Sequence, residues 1–116
     1  MLFICYPKCT TCQKAQKWLD SNGISYDLRD IKNDNPSREE LAEWYRSSGL
    51  PLKKFFNTRG MLYRSLELKD KLPDMSEDEQ LDLLASDGML VKRPLLINDG
   101  KVLVGFKESE WTSLLK

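Results

Sequence analysis

Histidine is absent from this chain, and that gap removes whole classes of chemistry. No Ser-His or Cys-His pair can form, and no zinc site can draw on an imidazole. Cysteine is scarce too, with Cys5, Cys9 and Cys12 the only three. They cannot complete an all-cysteine tetrahedral site, so a metal would need carboxylate help or a second chain. Neither a metal nor an organic cofactor is expected. Charge of one sign is not in excess either. Lys+Arg and Asp+Glu both total 18, for a formal net charge of zero, which argues against direct binding to nucleic acid. The apolar runs are far too short to cross a membrane. The N-terminus enters a strand-like run at once and lacks the shape of a signal peptide, so the expected location is cytoplasmic. In that compartment a close pair of cysteines points to redox chemistry or metal binding, not to a structural disulfide framework.

What the chain does have is Cys9-Thr10-Thr11-Cys12, placed between a short apolar run, Leu2-Phe3-Ile4-Cys5, and a helical pattern. A strand, a Cys-x-x-Cys and then a helix is a signature of thiol–disulfide chemistry. The helix start favours the thiolate, which is the reactive form of cysteine. Thr10 and Gln13 have the spacing of a capping box. Cys12, Ala15 and Leu19 share one helical face, with Trp18 beside them. Asn22-Gly23 ends the helix. Ile24, Tyr26 and Leu28 alternate with polar residues and read as a second strand. Together these make a βαβ unit.

The middle of the chain reads as helical. Ser37 with Glu40, and Ser76 with Glu79, are capping-box pairs. Gly49 and Pro51 stop the first of these helices. A short turn follows over residues 52–56, and a weaker helix is expected over residues 63–68, with Gly88 closing the last helix. Residues 94–97 and 101–106 are strand-like and flank Asn98-Asp99-Gly100, a hairpin signal. Residues 107–115 read as a closing helix. Trp18, Trp44 and Trp111 fit helix stripes and are expected in the core. The predicted architecture is one α/β domain over residues 1–116, with a mixed four-stranded sheet of thioredoxin type. It has a βαβ half at 1–30, a helical insertion at 31–91 and a ββα half at 92–116.

Four short motifs carry a family resemblance: Tyr6-Pro7-Lys8-Cys9-Thr10-Thr11-Cys12-Gln13-Lys14-Ala15, Phe55-Phe56-Asn57-Thr58-Arg59-Gly60, Lys92-Arg93-Pro94-Leu95 and Leu103-Val104-Gly105-Phe106. In their order and spacing the chain resembles, over essentially its whole length, the family of the glutaredoxin-coupled arsenate reductases and the Spx-like regulators. The resemblance implies a thioredoxin-like fold with a helical insert, Cys9 as nucleophile, and Arg93 ahead of a cis-proline at Pro94. It also implies an oxyanion site with three arginines. Only Arg93 falls on such a position, Arg59 is offset from the second, and Gly105-Phe106-Lys107 stands where the third belongs. Lys107 would supply a point charge without the planar fork of arginine. Cys12 is a second departure, since many glutathione-dependent members carry no cysteine there whereas Spx-like members do.

Weighed residue by residue, Cys9 is the candidate attacking thiol. Cys12 is the candidate resolving thiol, the alternative being a small buried side chain beside Ala15. Cys5 is expected to be core. Arg93 is the leading anion binder, the alternative being a surface arginine in a salt bridge. Lys8, Thr10, Thr11, Arg59 and Pro94 complete the candidate oxyanion or substrate site. The expected activity is thiol–disulfide oxidoreduction of the arsenate reductase type. Reducing equivalents would come from an external thiol such as glutathione with glutaredoxin, or thioredoxin. The alternative is a redox-switched regulator of Spx type that binds the RNA polymerase α-subunit.

Overall fold

The computed structural model describes residues 1–115. The first apolar run forms β1 (Leu2–Cys5), an inner strand with Phe3, Ile4 and Cys5 buried. On one side it pairs in parallel with β2 (Asp27–Asp30), and on the other it pairs antiparallel with β3 (Leu95–Asn98). β3 continues antiparallel into β4 (Lys101–Val104), so the strand order is β2-β1-β3-β4. This is the mixed, thioredoxin-like sheet expected from the sequence. Asn98 pairs with Lys101. That leaves Asp99 and Gly100 as a two-residue turn, with φ of 50° and 78°. Such positive values at both positions are what a tight hairpin of native twist requires.

The alternation of side chains along β1 builds two cores. Phe3 and Cys5 face α1 (Thr10–Ser21) and α6 (Glu108–Leu115), where Cys12, Ala15, Leu19, Leu96 and Trp111 close the cluster. Ile4 and Leu95 point the other way, under α2 (Arg38–Ser48) and α5 (Glu77–Ser86). Between those helices lie a turn of 3-10 helix at Leu52–Phe55 and the short α3 (Met61–Ser65) and α4 (Leu68–Lys71). Trp44 and Trp111 are core residues, as expected. Trp18 is partly buried and packs against the α1–α6 cluster. Both long-helix capping boxes form as expected, at Ser37/Glu40 and Ser76/Glu79.

The structure corrects four local expectations. The second strand begins at Asp27, not Ile24, because Asp27 pairs with Leu2 at the start of β1; Leu28, at 58% exposure, lies on an open edge. The single helix expected over residues 63–68 is divided between α3 and α4, because Glu67 adopts a left-handed φ of 54°. Gly88 does not close α5, which ends at Ser86 with Asp87 already extended as its C-cap. Its role is close approach, since a Cβ there would collide with the Ile31 carbonyl. The fourth, the Thr10/Gln13 capping box, concerns the site.

One ion pair fixes how β2 passes into the helical stretch. Arg29 donates to both Glu40 carboxylate oxygens, at 2.7 and 2.9 Å, and to the Asp34 and Asn35 carbonyls. The Arg29 hydrogen bond is the main cause that holds the Glu40 carboxyl down at about 2, with the Ser37 N–H helping. A carboxylate whose folded-state pKa is depressed contributes stability above its ordinary value near 4.5, and loses it as pH falls through about 2. Glu40→Gln, which can keep the cap, is expected to cost about 1 kcal/mol at neutral pH, because the pair is partly solvent-exposed. In urea melts the deficit should shrink between about pH 4.5 and pH 2. A deficit constant across that range would show that packing, not the ion pair, carries the effect.

Candidate functional site

The site grows from the end of β1. After Cys5 the chain turns through Tyr6-Pro7-Lys8, and the Cys9 N–H donates to the Tyr6 carbonyl at 2.9 Å. Cys9 is the N-cap of α1, in extended conformation, and makes no side-chain cap hydrogen bond. Thr10, expected as the capping residue, is already the first helical residue. Gln13 instead donates from Nε2 to the Pro7 carbonyl at 2.9 Å, bracing the turn. Unlike α2 and α5, then, α1 begins with no capping box. Its first-turn N–H groups and the positive end of its dipole lie beside the Cys9 thiol.

All three cysteines are free. Cys9 is half-buried, whereas Cys12, one turn on, is buried on the inner face of α1 at 1% exposure. The Cys12 sulfur accepts the Tyr6 N–H at 3.3 Å. The neighbouring Cys5 thiol is the largest influence on Cys12 and raises its pKa above the ordinary thiol value; burial raises it further. The same interaction holds Cys5 down. Cys5 is core, as expected, and shares its packed cluster with Cys12.

Arg93 is brought to the same place by strand register. Ile4 pairs with Leu95, so continuing the antiparallel ladder sets Cys5 against Pro94 and Tyr6 against Arg93. The Arg93 guanidinium carbon lies 5.0 Å from the centre of the Tyr6 ring, a cation–π contact. Its Nε and Nη1 are buried without a hydrogen-bond partner. The salt bridge weighed as the alternative is not found among the described residues. The Arg93–Pro94 peptide is cis, at the position the family resemblance gives. The Pro94 carbonyl accepts the Gly105 N–H at 2.8 Å, which ties the end of β4 to the same corner.

The remaining candidates are placed less closely. Lys8, Thr10 and Thr11 are exposed around the start of α1. Arg59 is exposed in a turn that hangs from the Asn57 N–H to Leu90 carbonyl bond, at 2.7 Å, just ahead of Arg93 in the chain. The Lys107 side chain is exposed, and its carbonyl accepts the Trp111 N–H at the start of α6. Tyr6 was not expected as a site residue. The only sequence signal for it is its place directly after the strand. Among the described residues no group of three or more histidine, cysteine, aspartate or glutamate side chains is arranged to hold a metal ion.

Comparison with known proteins gives the family. The model of the ArsC family matches residues 5–114. The chain belongs to the ArsC family. It is 59% identical over 111 residues to YusI of Bacillus subtilis, covering 96% of this chain and 94% of that uncharacterised protein. A solved structure of a possible arsenate reductase from Streptococcus mutans UA159 superposes with a TM-score of 0.88 at 48% identity, covering 96% of each chain. The regulatory protein MgsR of Bacillus subtilis is 29% identical over 116 residues, covering all of this chain and 90% of its own length. The matched range takes in every candidate residue from Cys9 to Gly105.

Two buried, unpartnered N–H groups on a permanent cation are costly, at about 1–3 kcal/mol each, until an acceptor arrives. A tetrahedral oxyanion such as arsenate, phosphate or sulfate supplies such an acceptor. At ten times its Kd the anion is expected to stabilise the chain by about 1.4 kcal/mol, raising Tm by several degrees. Arg93→Met should abolish the rise. An equal rise in that variant would place anion binding elsewhere.

Proposed function

We propose that this ArsC-family chain is a thiol–disulfide oxidoreductase in which Cys9 is the nucleophile and Cys12 the resolving thiol. The observation that carries the reading is the half-buried Cys9 at the uncapped start of α1, with the buried Cys12 one turn behind it and the unpartnered Arg93 donors just ahead of β3. The Cys9 thiolate attacks a disulfide sulfur and expels the other thiol, or attacks the arsenic of arsenate and expels one oxygen as water, and in either case forms a covalent adduct on Cys9. Arg93, with Lys8 and the Thr10 and Thr11 backbone, holds the negative charge. The Cys12 thiol then attacks the Cys9 sulfur, the reduced product leaves with the electron pair, and a Cys9–Cys12 disulfide closes. Glutathione with glutaredoxin, or thioredoxin, returns the two electrons. The site takes an oxidised thiol more readily than arsenate, because Gly105-Phe106-Lys107 offers no third arginine and Arg59 projects from an exposed turn.

In Cys12→Ser the second step is blocked, so a mixed disulfide with the thiol substrate should accumulate. Intact-mass spectrometry reads it as the added thiol mass less two hydrogens. Its absence would reject the scheme. Arsenate-dependent oxidation of NADPH through either donor system should exceed that of Cys9→Ser if arsenate is a substrate, and equal rates would remove arsenate.

A second reading is favoured by the regulatory relative MgsR. There the same Cys9/Cys12 pair acts as a redox switch on a transcription factor of Spx type. It predicts that the oxidised chain retains the C-terminal domain of the RNA polymerase α-subunit in a pull-down. Failure to retain it in both redox states would eliminate this reading.

A further inference from the structure

The sequence places Cys5 in the core, yet its thiol is not an isolated core group. Tyr6 directly follows Cys5, and the Tyr6 N–H donates to the Cys12 sulfur at 3.3 Å. The Cys12 sulfur therefore lies against the peptide that joins Cys5 to Tyr6. The Cys5 side chain points to the same face of the sheet and belongs to the same packed cluster as Cys12, with Cys9 at its border. The Cys5 and Cys9 thiols are both near enough to shift the Cys12 thiol, Cys5 the more strongly. Cys5 and Cys12 are thus buried together in one cluster, at 4% and 1% exposure, with the half-buried Cys9 on its outer side.

We propose that Cys5 is a third redox-active thiol, which takes Cys12 over from Cys9 and moves the disulfide into the core. The inference rests on the Cys9–Cys12 reading above. Once that disulfide has closed, the Cys5 sulfur attacks Cys12 in line with the Cys9–Cys12 bond. The Cys5–Cys12 bond forms, the Cys9–Cys12 bond breaks, and Cys9 leaves as a thiolate that takes the proton lost by Cys5. The exchange consumes no oxidant or reductant, since one disulfide replaces another. Its effect is to return Cys9 as a free nucleophile while the oxidising equivalent is held where an external thiol must open the structure to reach it.

The sequence supplies a direct assay. Trypsin cleaves after Lys8 and Lys14, which puts Cys5 in peptide 1–8 and both other cysteines in peptide 9–14. The chain is oxidised with equimolar diamide, alkylated at acidic pH to stop exchange, and digested without reduction. The internally looped peptide 9–14 should appear first and decline as a linked 1–8/9–14 pair rises. Cys9→Ser should retain the linked pair, whereas Cys5→Ala should lose it and keep the loop. A stable loop in the wild type, with no linked pair in Cys9→Ser, would overturn the relay and leave the Cys9–Cys12 reading standing. A linked pair that survives Cys12→Ser joins Cys5 to Cys9 directly and also overturns it. No disulfide of either kind would reject both.

Discussion

The antiparallel register of β1 against β3 is the constraint on which the site depends. Ile4 opposite Leu95 fixes every later pairing. Past the end of the ladder, Tyr6 then stands across from Arg93, and their cation–π contact follows. Tyr6 is held from its other atoms as well. Its N–H reaches the Cys12 sulfur, and its carbonyl takes the Cys9 N–H. One residue thus joins the strand, the start of α1 and the arginine. A slip by one position would turn Phe3 and Cys5 to the opposite face and separate the thiols from the arginine together.

The helical stretch between the two halves of the fold contributes to this geometry from behind. Phe56 bridges to Val91, the Asn57 N–H donates to the Leu90 carbonyl, and the Lys92 N–H donates to the Phe55 carbonyl. The segment that leads into Arg93 is therefore held as a short added strand against Phe55–Asn57. Phe55, Phe56, Leu90 and Val91 are all buried in the second core. Packing of this kind keeps a guanidinium with two unpartnered N–H groups from swinging out to water. Leaving it there costs stability, and the two cores supply the burial that offsets the cost.

What could be read in the sequence divides along the range of the interaction. The capping boxes at Ser37/Glu40 and Ser76/Glu79, the Asp99-Gly100 turn and the Cys9-x-x-Cys12 at a helix start are local, and each is found where the pattern put it. The exceptions have local competitors or distant partners. Cys9 displaces Thr10 as N-cap because the Tyr6 carbonyl already holds the Cys9 N–H, and the Pro7 carbonyl draws Gln13 away. The close approach of Gly88 to Ile31 joins residues far apart in the chain, so its glycine could be mistaken for a simple helix stop. The break at Glu67 has no glycine or asparagine to mark it. The stacking of Tyr6 on Arg93 and the Cys5–Cys12 contact depend on register, which no single segment carries.

The contrast between the two flanks of the site bears on what it can accept. On the thiol side, three features favour negative charge: the uncapped helix start, Lys8 in the preceding turn and the Arg93 donors. On the far side Gly105 closes against Pro94 and the Lys92 stem, and Trp111 donates from its indole to the Gly105 carbonyl. Phe106 then meets Trp111 edge to face, with ring centres 4.9 Å apart. That flank is largely apolar and aromatic, and the Lys107 side chain beyond it is exposed. A tetrahedral oxyanion gains most when planar forks surround it, whereas a thiol-bearing chain gains from one charge and an apolar wall. The distribution of charge about Cys9 therefore supports the proposed preference for an oxidised thiol over a bare inorganic oxyanion.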